Sequence, residues 1–191
     1  AYKNVAKDVA KKYDLLRHYK PGKKSLYKGM IVSGVSPRKA GKTRDGYYAH
    51  FLNEYLINEN KGFNAGKLKF NGVDPTKPVV THIGFEFPHT PVLPPVDFRA
   101  RFQKHKYKVP KFTNKEFAKV ASQMKKIIKN KGTDHFTDEE KQKMIQDYYA
   151  FCAYGDMLVG KATKDFINYS EKHKQPWMIV YVCGDHGWKL N

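Results

Sequence analysis

An aspartate and a histidine stand side by side near the end of this chain, after an apolar run. The run 177–183 is rich in β-branched and aromatic residues, which predicts a strand, and Gly184 separates it from Asp185 and His186. Ligand-handling groups gather at the carboxyl ends of strands in open α/β sheets. A carboxylate and an imidazole there suit a divalent cation. A helix-capping aspartate beside a surface histidine explains the same residues equally well.

His89 follows a second run of the same kind. Residues 78–85 form a β-branched stretch bounded by turn residues, which predicts a buried strand, and a proline-rich loop comes next. A histidine held in a stiff loop can bind an oxyanion or donate a proton to a leaving group, whereas a histidine bonded to nearby backbone is the alternative. If the two strands are neighbours in one sheet, His89 and His186 face the same crevice.

The elements that position these residues follow from hydrophobic periodicity and capping signals. The order of helices and strands predicts an α/β fold with a mixed, largely parallel sheet flanked by helices. Capping boxes at Thr113–Glu116 and Thr137–Glu140 each predict the start of a helix. The other expectations are helices over 5–19 and 47–57, a loop over 59–76, a solvated loop at Ser33–Arg38, and core positions for Tyr148, Tyr149 and Tyr154.

Composition indicates one domain with a real core and an anionic partner. The 191 residues carry 36 Lys and Arg against 18 Asp and Glu, a net charge of +18. Such a charge attracts nucleic acid, anionic membrane or a sulfated or phosphorylated polymer, although a lysine-coated soluble surface also explains it. No apolar segment is long enough to span a membrane. Two cysteines give no disulfide framework and leave the redox compartment open.

Four segments in register resemble the sulfatase family of the alkaline phosphatase superfamily. Together they cover roughly residues 45–191, and the last is similar to the Ser-Asp-His-Gly-Trp segment of iduronate-sulfatase-like members. The first three resemble the family's Lys-Pro-Phe-Phe-Leu strand, its Pro-His-x-Pro loop and its Asp-x-x-Val-Gly helix. The matching segments of this chain are 77–85, 88–91, 148–161 and 184–188.

The resemblance implies a calcium-dependent sulfuric ester hydrolase. Sulfatases of this kind hydrolyse sulfate esters with a formylglycine hydrate beside a calcium ion, and Asp185 and His186 match two ligands of that ion. His89 matches the histidine that contacts the sulfate and helps to protonate the departing alcohol. Lys189 joins His89 as a substrate-binding candidate without matching the family's active-site lysine. The implied substrate is a sulfated carbohydrate, an anionic polysaccharide, in a secreted, periplasmic or lysosomal setting.

Departures from the family pattern shape the prediction. The Cys/Ser-x-Pro/Ala-x-Arg nucleophile motif is absent, because Gly34 stands four residues before Arg38. The family's Asp-Asp pair and its Gly-Lys-Trp-His segment are missing too. We therefore expect 1–191 to be a partial sulfatase catalytic domain, inactive alone, whose formylglycine lies outside this chain. The alternatives are a phosphoesterase or phosphonate hydrolase of the same superfamily, and a non-catalytic basic module that binds polyanions. Nucleic acid is not the leading partner, and no oligomeric state is implied.

Overall fold

The computed structural model describes residues 7–18, 29–111, 113–131 and 135–184, and within them the chain forms two compact units. The first unit takes the described residues up to 37 and those from 88 to 152. The second takes 38–87 and the described residues from 153 onward. No helix of the described part is both long enough and apolar enough to cross a membrane.

Helices and short strands together make up the described residues, so the mixed helix-and-strand class is correct. The strands are β1 (Leu16–Arg17), β2 (Ile31–Ser33), β3 (Gly62–Ala65) and β4 (Leu68–Asn71). The helices are α1 (Lys7–Lys12), α2 (Arg44–Ile57), α3 (Val96–Phe102), α4 (Asn114–Ala118), α5 (Ser122–Lys131) and α6 (Asp138–Lys172), with a 3-10 turn at Ala40–Lys42.

Both predicted capping boxes are present. The Thr113 hydroxyl accepts from the Glu116 amide at 3.2 Å, and the Glu116 carboxylate accepts from the Thr113 amide at 2.8 Å. Thr137 and Glu140 repeat the arrangement at 3.2 and 2.9 Å, and α6 begins at the next residue. Each box satisfies two amides that a helix start leaves without partners. The single helix predicted to start at Thr113 is interrupted, however, because α4 ends at Ala118 and α5 begins four residues later.

The helix predicted over residues 5–19 is also shorter than expected. Only α1 forms, and Asp14 adopts φ 51° two residues after its end, a left-handed conformation that stops a right-handed helix. Leu16 and Arg17 then pair with β2 in antiparallel register, instead of continuing the helix. All three residues of β2 are buried. Ser33, at 1% exposure, is therefore a core residue, and the predicted solvated loop is wrong over its first three positions, since Gly34 and Val35 are buried as well.

The second unit is built on α2 and a hairpin that the sequence analysis assigned to a loop. β3 and β4 pair in antiparallel register, and Gly66 takes φ 64° in the turn between them. The ring of Phe51 on α2 packs against Phe63 at 5.4 Å and Phe70 at 4.9 Å. The buried core lies alongside, formed by Leu52, Leu56, Val73, Ala162 and Tyr169.

The largely parallel sheet is not found among the described residues. Both sheets are two-stranded and antiparallel, with one isolated parallel bridge between Ser33 and Val92. The runs 78–85 and 177–183 form no strand. Along the first run, Val79, Ile83 and Phe85 pack against the core of the second unit, whereas residues 80–82 are all exposed and Val80 is 95% exposed. The alternation expected of a half-buried strand is therefore incomplete along this run.

Candidate functional site

Of the four predicted site residues, one lies within the described part of the chain, and it is His89. Asp185, His186 and Lys189 lie outside the described residues. Gly184, directly before Asp185, has φ 71°, which glycine reaches without the strain that a side chain would bring. Across the described ranges, no group of three or more His, Cys, Asp or Glu side chains is arranged to hold a metal ion. The predicted calcium site is thus not tested by this geometry.

His89 is exposed on the loop that follows the first run. Its Nδ1 lies 2.6 Å from the Thr90 carbonyl oxygen, within hydrogen-bond distance. A carbonyl only accepts, so Nδ1 carries the hydrogen in that bond, and the neutral ring then keeps Nε2 as its acceptor. The Thr90–Pro91 peptide bond is cis.

The loop that carries His89 is fixed at its far end. The Val92 amide donates to the Val32 carbonyl at 2.8 Å, and the Gly34 amide donates to the Val92 carbonyl at 3.1 Å. Ser36 donates to the Pro94 carbonyl at 2.9 Å. Pro94 and the next proline are fully buried. Backbone bonds to and just after β2 therefore hold the loop only three residues beyond the histidine.

The backbone just before the loop is fixed by Asp45, in the first turn of α2. Its two carboxylate oxygens accept from the Glu86 amide at 2.9 Å and the Phe87 amide at 3.1 Å. Burial raises the pKa of Asp45, and the two amide hydrogen bonds oppose that rise. Arg44 pairs with the Glu86 side chain at 2.7 Å. The carboxylate thus holds the last turn of chain before Pro88-His89, which the sequence analysis did not predict.

A cavity of about 490 Å³ lies in the second unit between α2 and the run 80–86. Its α2 side is formed by Tyr48, Phe51 and Tyr55, three residues that share one helix face. His82 and Glu86 supply polar groups on the opposite side. An apolar, aromatic wall from α2 therefore borders the cavity on the side opposite the run 80–86.

A buried charge network occupies the first unit. Asp147 on α6 is fully buried, and its Oδ1 lies 2.7 Å from Arg99 Nε, while the Ser33 hydroxyl donates to its other oxygen. Arg99 also binds Asp14 at 2.8 Å through Nη2. Lys143 contacts the other oxygen of Asp14 at 3.1 Å. The network links α3 and α6 through the Arg99–Asp147 contact, and the Ser33 hydroxyl adds β2.

The two carboxyls of this network have opposite pKa shifts. Burial raises the pKa of Asp147 to about 7, and Arg99 and Ser33 only partly offset it. Burial would raise the pKa of Asp14 as well, but hydrogen bonds from Lys143 and Arg99 outweigh it and the pKa is lowered. A sequence signal for the network existed. Asp147 and Ala150 lie three residues apart on the buried stripe of α6. A charged residue at position 147 is unexpected on such a stripe, where apolar residues are the rule.

Comparison with protein-family models, with curated proteins and with solved structures finds no match to this chain. The assignment to the sulfatase family therefore remains a prediction carried by four short motifs. The described geometry adds an anchored loop around His89 and two uncovered apolar runs.

Proposed function

We propose that this chain is part of the catalytic domain of a calcium-dependent sulfatase that hydrolyses sulfate esters on a sulfated carbohydrate, an anionic polysaccharide. The support from sequence is the order of the motifs, in which each apolar run leads directly to a histidine-bearing polar segment. The formylglycine nucleophile belongs to a part of the protein outside these residues. The chain by itself then binds the substrate but does not turn it over.

The observation that carries the proposal is the exposure of the two apolar runs. Val80 is 95% exposed, Val182 91% and Met178 81%, although the residues around them are β-branched or aromatic. Continuous apolar runs of this kind belong to strands that are covered on both faces by helices and neighbouring strands. Covering one such side chain contributes about 1.5–3 kcal/mol. We therefore propose that both runs are strands of a largely parallel sheet in the whole protein, with their carboxyl ends at one edge.

In that arrangement the predicted residues have distinct roles. His89, whose Nδ1 is bonded to Thr90, contacts the sulfate in this proposal and, when protonated, gives its proton to the departing alcohol oxygen. Asp185 would hold the calcium ion with its negative charge and His186 with a nitrogen, and the ion would supply positive charge for the sulfate oxygens. Lys189 lies close by in sequence and adds a cation for an anionic substrate.

The test is a comparison of sulfate esters with phosphate esters, using the protein at the full mass found in its natural source. We expect release of sulfate that requires calcium and falls at least about 100-fold in His89→Gln, as for loss of a general acid. His50→Gln, an exposed histidine on α2 that does not line the cavity, is the matched control and keeps full activity. Faster release of phosphate would establish the phosphoesterase alternative instead, and sulfate release by the 191-residue chain alone would contradict the assigned location of the nucleophile.

The net charge of +18 favours a second candidate, a non-catalytic module that binds polyanions. Salt and calcium separate the two functions. A mainly electrostatic binder loses affinity steeply as salt rises and is indifferent to calcium removal. The sulfatase needs calcium for turnover at every salt concentration. Turnover that disappears on chelation while polymer binding persists supports the sulfatase, whereas binding without turnover in the full-mass protein supports the module.

A further inference from the structure

Residues 103–111 form a basic segment that follows α3, in the first unit. Lysines stand at every second position from 104 to 108, and all three are exposed. No ion pair engages Lys104, Lys106 or Lys108 within the part of the chain that the structure describes. Over residues 101–126 there are nine Lys and Arg and one acidic residue, Glu116, whose carboxylate is used in the capping box of α4. We name Lys104, Lys106 and Lys108 the lysine row.

The backbone of the segment is held against α6 by two glutamines one turn apart. The Gln146 amide donates to the Gln103 carbonyl at 3.3 Å and to the His105 carbonyl at 2.8 Å. Gln142 bonds both the amide and the carbonyl of Tyr107, as a neighbouring strand would. These bonds fall on the odd-numbered residues and leave the lysine row on the intervening positions.

Two further contacts fix the segment at its far side. The Tyr107 ring stacks on Tyr149 of α6 with centroids 4.9 Å apart and planes 19° from parallel. Lys111 pairs with Asp138 at 3.1 Å. Tyr149 is 41% exposed, so the predicted core position is wrong for this residue while Tyr154 is fully buried as predicted. Residues Asp138, Gln142, Gln146 and Tyr149 share one face of α6 because they are spaced by four, four and three.

This arrangement preorganises three cations. An irregular segment would ordinarily pay conformational entropy on binding a ligand, but its backbone is already ordered here by side-chain hydrogen bonds. Residues 103–104 form a turn and 105–111 are irregular, so the three lysines stand together on one short segment, which suits anionic groups that repeat along a polymer. The row consists of lysines alone, which bind as point charges, whereas arginine forks are the usual choice for phosphates of nucleic acid.

We propose that the lysine row is a docking site for the sulfated polysaccharide chain, which holds the polymer while a sulfate group reaches the catalytic residues. This proposal rests on the proposed function for the identity of its ligand. The row binds sulfate groups by charge, without chemistry of its own. It predicts that the polymer, and not a small sulfate ester, depends on these lysines.

The experiment compares two triple variants of the 191-residue chain in binding to heparin, chosen as a sulfated glycan probe. The test variant changes Lys104, Lys106 and Lys108 to Ala. The control changes Lys42, Lys67 and Lys164 to Ala, three exposed lysines elsewhere with the same loss of charge. We expect the test variant to bind heparin about tenfold more weakly at 0.15 M salt, which corresponds to the loss of three exposed ionic contacts. The control variant should lose much less affinity.

Circular dichroism tests whether both triple variants are folded. A third variant, Gln142→Ala, retains every lysine. It removes the two hydrogen bonds that hold the Tyr107 backbone against α6, so we expect weaker heparin binding at unchanged charge. Equal weakening in the test and control triples would overturn the proposal, because net charge alone would then explain binding. Single-stranded DNA bound as tightly as heparin and equally sensitive to the row would overturn it as well.

Kinetics of the full-mass protein separate this proposal from the proposed function. If both hold, the row variant raises KM for the polymer, while kcat and hydrolysis of a small sulfate ester stay unchanged. If the protein hydrolyses no sulfate ester but heparin binding still depends on the row, the sulfatase assignment fails and the docking site stands. If hydrolysis occurs and KM for the polymer is unaffected by the row, the docking site fails and the sulfatase assignment stands.

Discussion

The buried carboxyl of Asp147 makes a sharp prediction about stability and pH. Its pKa of about 7 in the folded protein compares with an ordinary value of 3.8, because the side chain is fully buried and Arg99 offsets only part of that burial. The folded protein therefore holds a proton on Asp147 between pH 4 and 7, where the unfolded chain does not. Stability from this group is present at low pH and is lost as pH rises toward 7.

The size of the effect follows from the shift. One pKa unit corresponds to 1.36 kcal/mol, so ionising Asp147 in place costs about 4 kcal/mol in total. Across the window the free energy of unfolding falls by about 1.4 kcal/mol for each pH unit. Asp14 adds no slope to the stability curve between pH 4 and 7, because its lowered pKa places its own contribution to stability below pH 4.

Asp147→Asn removes the titration while keeping a side chain that can bond Ser33. We expect urea unfolding between pH 5 and pH 8 to give a falling free energy for the wild type. The variant lacks that slope, so the difference between the two proteins changes by about 3 kcal/mol over the window. Asp156→Asn, an exposed position on the same helix, is the control and should run parallel to the wild type.

Parallel curves for the wild type and Asp147→Asn would refute the reasoning, since they would mean that the carboxyl is ionised throughout. Arg99→Gln tests the same network from its other side. Without the guanidinium, the pKa of Asp147 rises further because its main opposing charge is gone. The falling part of the stability curve should then extend to higher pH, whereas a shift to lower pH would contradict the assignment of Arg99 as the lowering group.

Four further substitutions are expected to alter stability, measured by urea unfolding at pH 7. A methyl group at Gly155 would overlap the Phe87 ring, so Gly155→Ala should lower the free energy of unfolding by about 1–3 kcal/mol. Gly160 has open space around it, so Gly160→Ala on the same helix should raise that free energy by up to about 1 kcal/mol. Equal effects of the two substitutions would contradict the packing of Phe87 on Gly155. Asp45→Ala leaves two backbone amides without an acceptor and should cost about 2 kcal/mol, and no loss would show that water replaces it. Thr137→Ala removes a helix cap and should cost about 1 kcal/mol, with an unchanged value arguing against the capping box.

Local signals were enough to predict where several elements begin. The Thr137 capping box marks the start of α6 because its hydrogen bonds join residues only three apart. The hairpin β3–β4 was missed because its glycine-rich stretch was assigned to a loop. Phe63 and Phe70 are the residues that favoured strands there, and both contact Phe51 across the core. Pairing of that kind depends on contacts that a pass along the sequence does not evaluate.

The buried network was missed for a related reason. Ser33 has a polar side chain followed by glycine, which is typical of a solvated turn. Its burial is decided by Asp147, 114 residues later, to which its hydroxyl donates. His89 was chosen as a candidate from its own loop, because prolines restrict the backbone locally. Asp45, which fixes the chain before that loop, lies more than forty residues away and gave no local signal.

The same physical distinction explains why two apolar runs are uncovered while weaker strand sequences pair. β3 and β4 find each other because two residues of turn bring them together, at little entropic cost of loop closure. The run 177–183 has higher strand propensity, yet Val182 is 91% exposed and the run forms no strand with any described residue. Propensity selects which residues are able to form a strand, and the presence of a neighbour decides whether they do. A parallel strand needs partners that arrive through long crossover connections. If both runs are strands of the sheet that we propose, covering them should bury Val80 and Val182 together.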